Sequence, residues 1–240
     1  MATANEARTA VRDKYKTILG RNSYSQPRRA YCFRKYSDGK YYSDCSSSIM
    51  KSYEEAGYPI SSACLNTVGM YQCAALKTVP VQIKNGVIQN PEALRVGDML
   101  LFAGTDSSRA YADCVGHVEM VGEISGSTIY LYGHGSGTPR KTEMNAYCKS
   151  RYAAKTGTRI GSKGLLKVVR FIWDGGDGPR AVIRNCAAAN IRTGPGTSFP
   201  SAGTCKPGDS FAAVDPTGWV PVLHGGAVRW VSAKYAEVKA

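Results

Sequence analysis

The stretch Trp173-Asp174-Gly175-Gly176-Asp177-Gly178-Pro179 constrains this chain most. Its glycines and aspartates favour turns over regular structure, and the proline that ends it has no N–H to give to a helix or a sheet. It therefore reads as a linker, residues 174–179, between two folding units of unequal size. Residues 1–173 are enough for one domain with a substantial core, and residues 180–240 for a small one. Both parts are basic. The chain of 240 residues carries a formal charge of +13, of which +9 precedes Gly178 and +4 follows it. Such a balance points to an anionic partner. No zinc-finger, homeodomain or RNA-recognition signature accompanies it, which argues against a nucleic-acid reader.

Within the first part, Tyr42-Ser43-Asp44-Cys45-Ser46-Ser47-Ser48 leads into Ile49, Met50, Tyr53 and Ala56, apolar residues at helical spacing that stop at Gly57. Cys45 falls in the first turn, where Asp44 or Ser43 can cap open amides and the positive helix end favours a thiolate. The same stretch also fits a capped helix start around a buried structural cysteine. Two later segments bear on the choice. Arg95 to Phe102 reads as a Gly-Asp turn entering an apolar strand, and Gly116-His117-Val118-Glu119-Met120-Val121-Gly122 as a strand headed by one of only three histidines. An early Cys and a later strand-borne His is the order a cysteine hydrolase needs.

These residues resemble the NlpC-type papain-like cell-wall peptidases and their relatives, the CHAP amidases and endopeptidases. The likeness rests on Asp44-Cys45-Ser46-Ser47, on Val96-Gly97-Asp98-Met99-Leu100-Leu101-Phe102 and on His117-Val118, and it spans about residues 5 to 173. It implies an α+β papain-like fold with Cys45 as nucleophile and His117 as base. Asp44 and Ser46 would serve at the helix mouth, where backbone amides meet the oxyanion. In the family an upstream tyrosine assists there. Tyr24 matches it, although the glycines that usually follow are absent. The family's third catalytic group is polar and sits near the end of the strand after the catalytic His. His134, in Tyr130-Leu131-Tyr132-Gly133-His134, takes that place, and Tyr132 takes it if the Ser125-Gly126-Ser127 turn shifts the register by two residues.

The remaining pattern is simpler. Ala4, Ala7, Val11, Tyr15 and Ile18 mark an opening helix, residues 61–76 a further helix, and Asn85-Gly86 a hairpin turn. The aromatic and basic run from Arg21 to Tyr42 suits a loop beside a cleft for an acidic peptide or sugar. Residues 141–163 read as a helix and a basic loop. Eight cysteines without paired CxxC spacing predict mostly free thiols, with Cys64 and Cys73 in the core. Cys114-Val115-Gly116-His117 has a spacing that could hold zinc, but no second pair exists, so no metal or other cofactor is expected. The opening residues lack an export signal and no segment is long and apolar enough to cross a membrane, which predicts synthesis in the cytoplasm and no membrane insertion.

The second part resembles a bacterial SH3 domain through Ala189-Asn190-Ile191-Arg192-Thr193-Gly194-Pro195-Gly196, Cys205-Lys206-Pro207-Gly208-Asp209, Gly218-Trp219-Val220-Pro221 and Arg229-Trp230-Val231-Ser232-Ala233-Lys234-Tyr235. Arg229 stands where that family commonly has glycine. The resemblance implies a small all-β barrel that holds a hydrolase on peptidoglycan or anionic wall polymers, with Arg192, Trp219, Trp230 and Tyr235 as ligand-binding candidates. His224 reads as a turn residue. Together the two resemblances imply an endolysin-like peptidoglycan hydrolase, reaching the wall after release from the cell and cutting a stem-peptide bond next to D-glutamate. An amidase cutting between muramic acid and L-alanine, and a non-catalytic wall-binding or phage structural protein, are the rival readings.

Overall fold

A computed structural model describes residues 3–60, 64–104, 115–154, 164–173, 180–212, 219–224, 227–232 and 235–239. The chain opens with helix α1, Ala4–Lys16. Thr3 accepts the Glu6 N–H and the Glu6 carboxylate accepts the Thr3 N–H, so the first amides are satisfied locally. Ala7, Val11 and Tyr15 are buried on its inner face. Two short strands, β1 Ser23–Tyr24 and β2 Tyr42–Ser43, pair in parallel and bring the chain to helix α2, Cys45–Glu55. Helix α3 is only Thr67–Gln72. The longer helix expected over residues 61–76 is not formed, because Asn66 caps at Gly69 and Cys73 is already extended.

After β3 (Lys77–Thr78) and the β4–β5 hairpin (Ile83–Lys84, Val87–Ile88), Asn85 and Gly86 take positive φ angles of 51° and 75° at the turn. The main sheet then adds β6 (Met99–Ala103), β7 (Val115–Ser125), β8 (Thr128–Gly133), β9 (Arg140–Glu143) and, after helix α4 (Met144–Ala153), β10 (Leu165–Arg170). Its order is β3-β10-β6-β7-β8-β9, antiparallel throughout. One core contains Val11, Ile49, Tyr53, Val118 and Met120, gathering α1 and α2 onto one face. A second contains Phe102, Val121, Leu131 and Met144, which places α4 on the other.

The Gly97-Asp98 turn has a structural task. Gly97 sits at φ 90°, a conformation that favours glycine, and its carbonyl accepts the Tyr53 hydroxyl at 2.8 Å. Asp98 is sealed from solvent and receives both arms of Arg170, at 2.6 and 2.7 Å. Burial lifts the Asp98 carboxyl and the Arg170 bonds oppose that. The pair ties the start of β6 to the end of β10.

The described residues between 180 and 239 hold seven short strands: β11 Arg180–Ile183, β12 Ala189–Arg192, β13 Ser201–Cys205, β14 Ser210–Ala212, β15 Trp219–His224, β16 Ala227–Ser232 and β17 Ala236–Lys239. They form two antiparallel sheets, β14-β11-β17 and β13-β12-β16-β15. A separate core of Ala181, Ile183, Ile191, Val220, Val222 and Val231 lies within them.

Candidate active site

Helix α2 begins where the sequence places it. Asp44 is the N-cap: its Oδ1 accepts the Ser47 N–H at 2.8 Å and the Ser46 hydroxyl at 3.0 Å, while Ser47 Oγ accepts the Asp44 N–H at 2.8 Å. The cap spends one Asp44 oxygen entirely within the turn. Among the described residues no acceptor meets the backbone N–H of Cys45 or Ser46, so two donors at the positive helix end remain open. Cys45 is 7% exposed and lines a cleft of about 520 Å³. The other walls come from Gln26 and Arg29, from residues 66–69, and from Val115 and Gly116 at the head of β7.

His117 stands on β7 and its imidazole hydrogen-bonds the Cys45 side chain. Its Nε2 lies 2.8 Å from Glu119 Oε1, which leaves Nδ1 for the thiol. Burial works against a charge on this ring, but the bonds to Cys45 and Glu119 together outweigh it and lift the pKa from 6.5 to about 9. His117 is therefore protonated at neutral pH. Glu119 is 1% exposed, and the ring of Tyr147 on α4 stands 6.3 Å from the imidazole. Burial and then Glu119 push the Tyr147 phenol up, so the carboxylate sits in a dry pocket.

Gly133 makes room for that carboxylate. It pairs directly with Glu119 across β7 and β8, and a Cβ built on it would stand 1.7 Å from Glu119 Oε2 and 1.9 Å from Cδ. No side chain fits there while Glu119 holds His117. Glu119 and Gly133 were missed as functional residues, although the period of a strand puts positions 117 and 119 on one face and a carboxylate in an otherwise apolar run was a visible signal.

His134 does not orient His117, contrary to expectation. Its Nδ1 lies 3.0 Å from Ser43 Oγ and 3.2 Å from Ser48 Oγ, and its Nε2 3.1 Å from the Gly137 carbonyl. Nε2 thus donates and Nδ1 accepts, the neutral tautomer, and burial lowers the pKa. Alternation along β8 turns position 134 to the face opposite Gly133, toward α2. There His134 ties the end of β8 to the cap of the Cys45 helix. Tyr132, the other candidate, is buried among the α1 and α2 residues, with its ring 5.7 Å from that of Tyr15. Tyr24 packs edge-on against His134 at 5.2 Å, is 39% exposed, and has its hydroxyl pushed up by burial and then by Cys45.

Cys64 and Cys73 form a disulfide across nine positions, which corrects the reading of both as core thiols. The bridge closes the loop that carries the cleft residues 66–69. Cys32, Cys45, Cys148, Cys186 and Cys205 are free among the described residues, and burial raises Cys32 and Cys148 to about 12. Cys114 and residues 155–163, the second part of the segment read as a helix and a basic loop, lie outside the described residues. In the last sixty residues, Arg192 donates to the Phe199 carbonyl at 2.7 Å and pairs in register with Trp230. Trp230 is half-buried against the core that contains Ile49 and Met120, and Tyr235 is half-buried against that of residues 181–231. The Trp219 side chain is outside the described set.

No protein-family model and no curated protein matches the chain. Among solved structures it is similar to a lipoprotein-like protein of the NLP/P60 family from Staphylococcus aureus, with 17% identity and a TM-score of 0.41, covering 71% of this chain and 43% of that one. It is likewise similar to NlpC2 from Trichomonas vaginalis, with 15% identity and a TM-score of 0.41 over 72% and 49% of the two chains. A third, Ly7917, gives 18% identity and a TM-score of 0.32 over 99% and 98%. The chain spans about half or less of the first two.

Proposed function

We propose that the protein is a peptidoglycan hydrolase that cuts a stem-peptide bond with Cys45 as its nucleophile. One observation carries this reading. Cys45 stands at a helix N-terminus in an open cleft, against an imidazole whose second nitrogen a buried carboxylate holds. Those are the parts that nucleophilic acyl transfer needs.

In the working pair the thiol proton rests on His117. Sulfur attacks the carbonyl carbon of the scissile bond, and the resulting oxyanion is met by the N–H groups of Cys45 and Ser46, with Tyr24 beside them. The C–N bond then breaks as His117 gives its proton to the departing amine, leaving a thioester on Cys45. Water attacks the thioester while His117 takes up its proton. The C–S bond breaks, the free acid leaves, and the ion pair is restored. Glu119 keeps Nδ1 of His117 aimed at the sulfur and offsets the ring's positive charge.

The stem peptide is the substrate that the sequence likeness nominates, with the cut next to D-glutamate. The strand-rich residues 180–239 would form the SH3-like anchor, with Arg192, Trp219, Trp230 and Tyr235 as its ligand candidates. The basic charge of the chain suits a polyanionic wall. Clearing of purified cell walls tests the proposal. Cys45→Ala abolishes it, and mass spectrometry of the digest finds new termini within the stem peptide. A variant that clears walls as fast as the parent refutes the nucleophile, and a new free amine on L-alanine assigns the cut to an amidase.

A further inference from the structure

Two charged side chains line the cleft among the described residues, Arg29 and Asp44, and they are not equally available. Asp44 is 2% exposed. Its Oδ1 is consumed by the α2 cap and its Oδ2 lies 3.3 Å from Arg29 Nε. Both of its oxygens are engaged and neither is open to solvent. Arg29, by contrast, has a side chain 36% exposed. Its Nε donates to the Gln26 carbonyl at 2.9 Å, and Nη1 makes only a long contact of 3.5 Å with the Leu65 carbonyl. Among the described residues no acceptor meets Nη2. The guanidinium of Arg29 is therefore fixed through Nε and Nη1, and the residue lines the cleft that Cys45 opens into. A fixed guanidinium edge with a free N–H is suited to a carboxylate, since two parallel N–H donors match its two oxygens. The open amides of Cys45 and Ser46 add further donors in the same cleft.

We propose that Arg29 is a specificity-determining residue, which selects a peptide bearing a free carboxylate beside the scissile bond over the same peptide with that group amidated. The inference rests on the hydrolase reading and narrows its substrate. A stem in which glutamate is linked through its side chain leaves an α-carboxylate free at that place, and a stem carrying the α-carboxamide has no charge there. A carboxamide accepts through one oxygen only and presents donors to a guanidinium that can only donate. The selection thus combines a lost charge with a mismatched hydrogen bond.

The test uses the full chain and two synthetic stem peptides that differ only in this carboxylate or carboxamide. The parent cleaves the acid form with a kcat/KM at least about tenfold above the amide, the worth of one charge-assisted hydrogen bond. Arg29→Gln brings the ratio close to one, and Arg29→Lys keeps part of it. A purely structural role would lower both rates together and leave the ratio standing. A parent ratio near one, or a ratio that survives in Arg29→Gln, overturns the inference and leaves the hydrolase reading intact. Should the parent cut neither peptide, the hydrolase reading falls, and the affinities of the Cys45→Ala protein decide the inference separately. A preference for the acid that disappears with Arg29→Gln upholds it, and equal affinities overturn it.

Discussion

Replacing Glu119 by Gln removes the charge that holds His117 while keeping the volume of the side chain. The contact is 2.8 Å long between groups that are 1% and 9% exposed, so solvent screens it little. A charge-assisted hydrogen bond of this kind is worth about 1.5–3 kcal/mol. At about 1.4 kcal/mol per decade, kcat/KM on a soluble stem peptide falls roughly 10- to 150-fold if the whole of it serves the transition state. The pH profile supplies the more specific readout. In the proposed mechanism His117 must be protonated to release the amine, and its pKa of about 9 depends on both Cys45 and Glu119. The alkaline limb of the parent therefore lies near 9, and in Glu119→Gln it moves to lower pH. Stability follows the same sign. A folded-state pKa raised from 6.5 to about 9 stabilises the fold fully below 6.5 and loses that contribution as pH rises through 9. Melting curves of parent and variant should thus differ most in acid and converge above pH 9. Gly133→Ala provides an independent route to the same loss. Its added methyl would lie 1.7 Å from the carboxylate oxygen on a backbone locked between β7 and β9, so the Glu119 side chain must move. Because both changes act on one contact, the double variant should be little worse than the poorer single one. Full activity in Glu119→Gln with the alkaline limb still near 9 would refute the reasoning.

Three further outcomes are expected. His134→Ala lowers stability by about 2–3 kcal/mol, through the serine hydroxyls and the buried volume it leaves unfilled, yet keeps the alkaline limb of activity near that of the parent. Since burial depresses the pKa of His134, the parent also loses stability as pH falls below about 6.5, and thermal melts of the variant lack that part of the acid sensitivity. Arg170→Met strands Asp98 as a buried unpaired charge and costs about 3–5 kcal/mol by chemical denaturation. Reducing the Cys64–Cys73 bridge lowers the melting temperature, consistent with roughly 2–3 kcal/mol for so short a loop, and raises KM more than it lowers kcat, because the loop it closes carries residues 66–69 of the cleft wall.

The places of Cys45 and His117 in the fold were legible for local reasons. Cys45 is fixed by its own helix, whose cap and apolar spacing lie within about a dozen residues, and His117 by the strand it heads. Helix α1, the Asn85-Gly86 turn and the strand Met99–Ala103 were readable on the same terms. The disulfide was not, because two cysteines nine positions apart pair only if the chain between them doubles back, and nothing in that segment announces it. Helix α3 was overestimated since an apolar run bounded by a cap and a bridge has room for six residues only.

The third group of the site failed for a different reason, which bears on how the site is built. Assigning His134 required knowing how β8 lies against β7, and a register irregularity between Val121 and Glu123 intervenes between the turn and the site. A one-residue slip exchanges the two faces of a strand. Glu119 escapes that dependence. It sits two residues from His117 on one strand, so the imidazole and the carboxylate that holds it are separated by about 7 Å of backbone whatever the neighbouring strand does. What the register must supply is only vacancy, and Gly133 supplies it by having no side chain to place opposite Glu119. The neighbour thus contributes to the site by what it lacks. The histidine that follows β8 points to the other face of the sheet and fastens the helix that begins at Cys45.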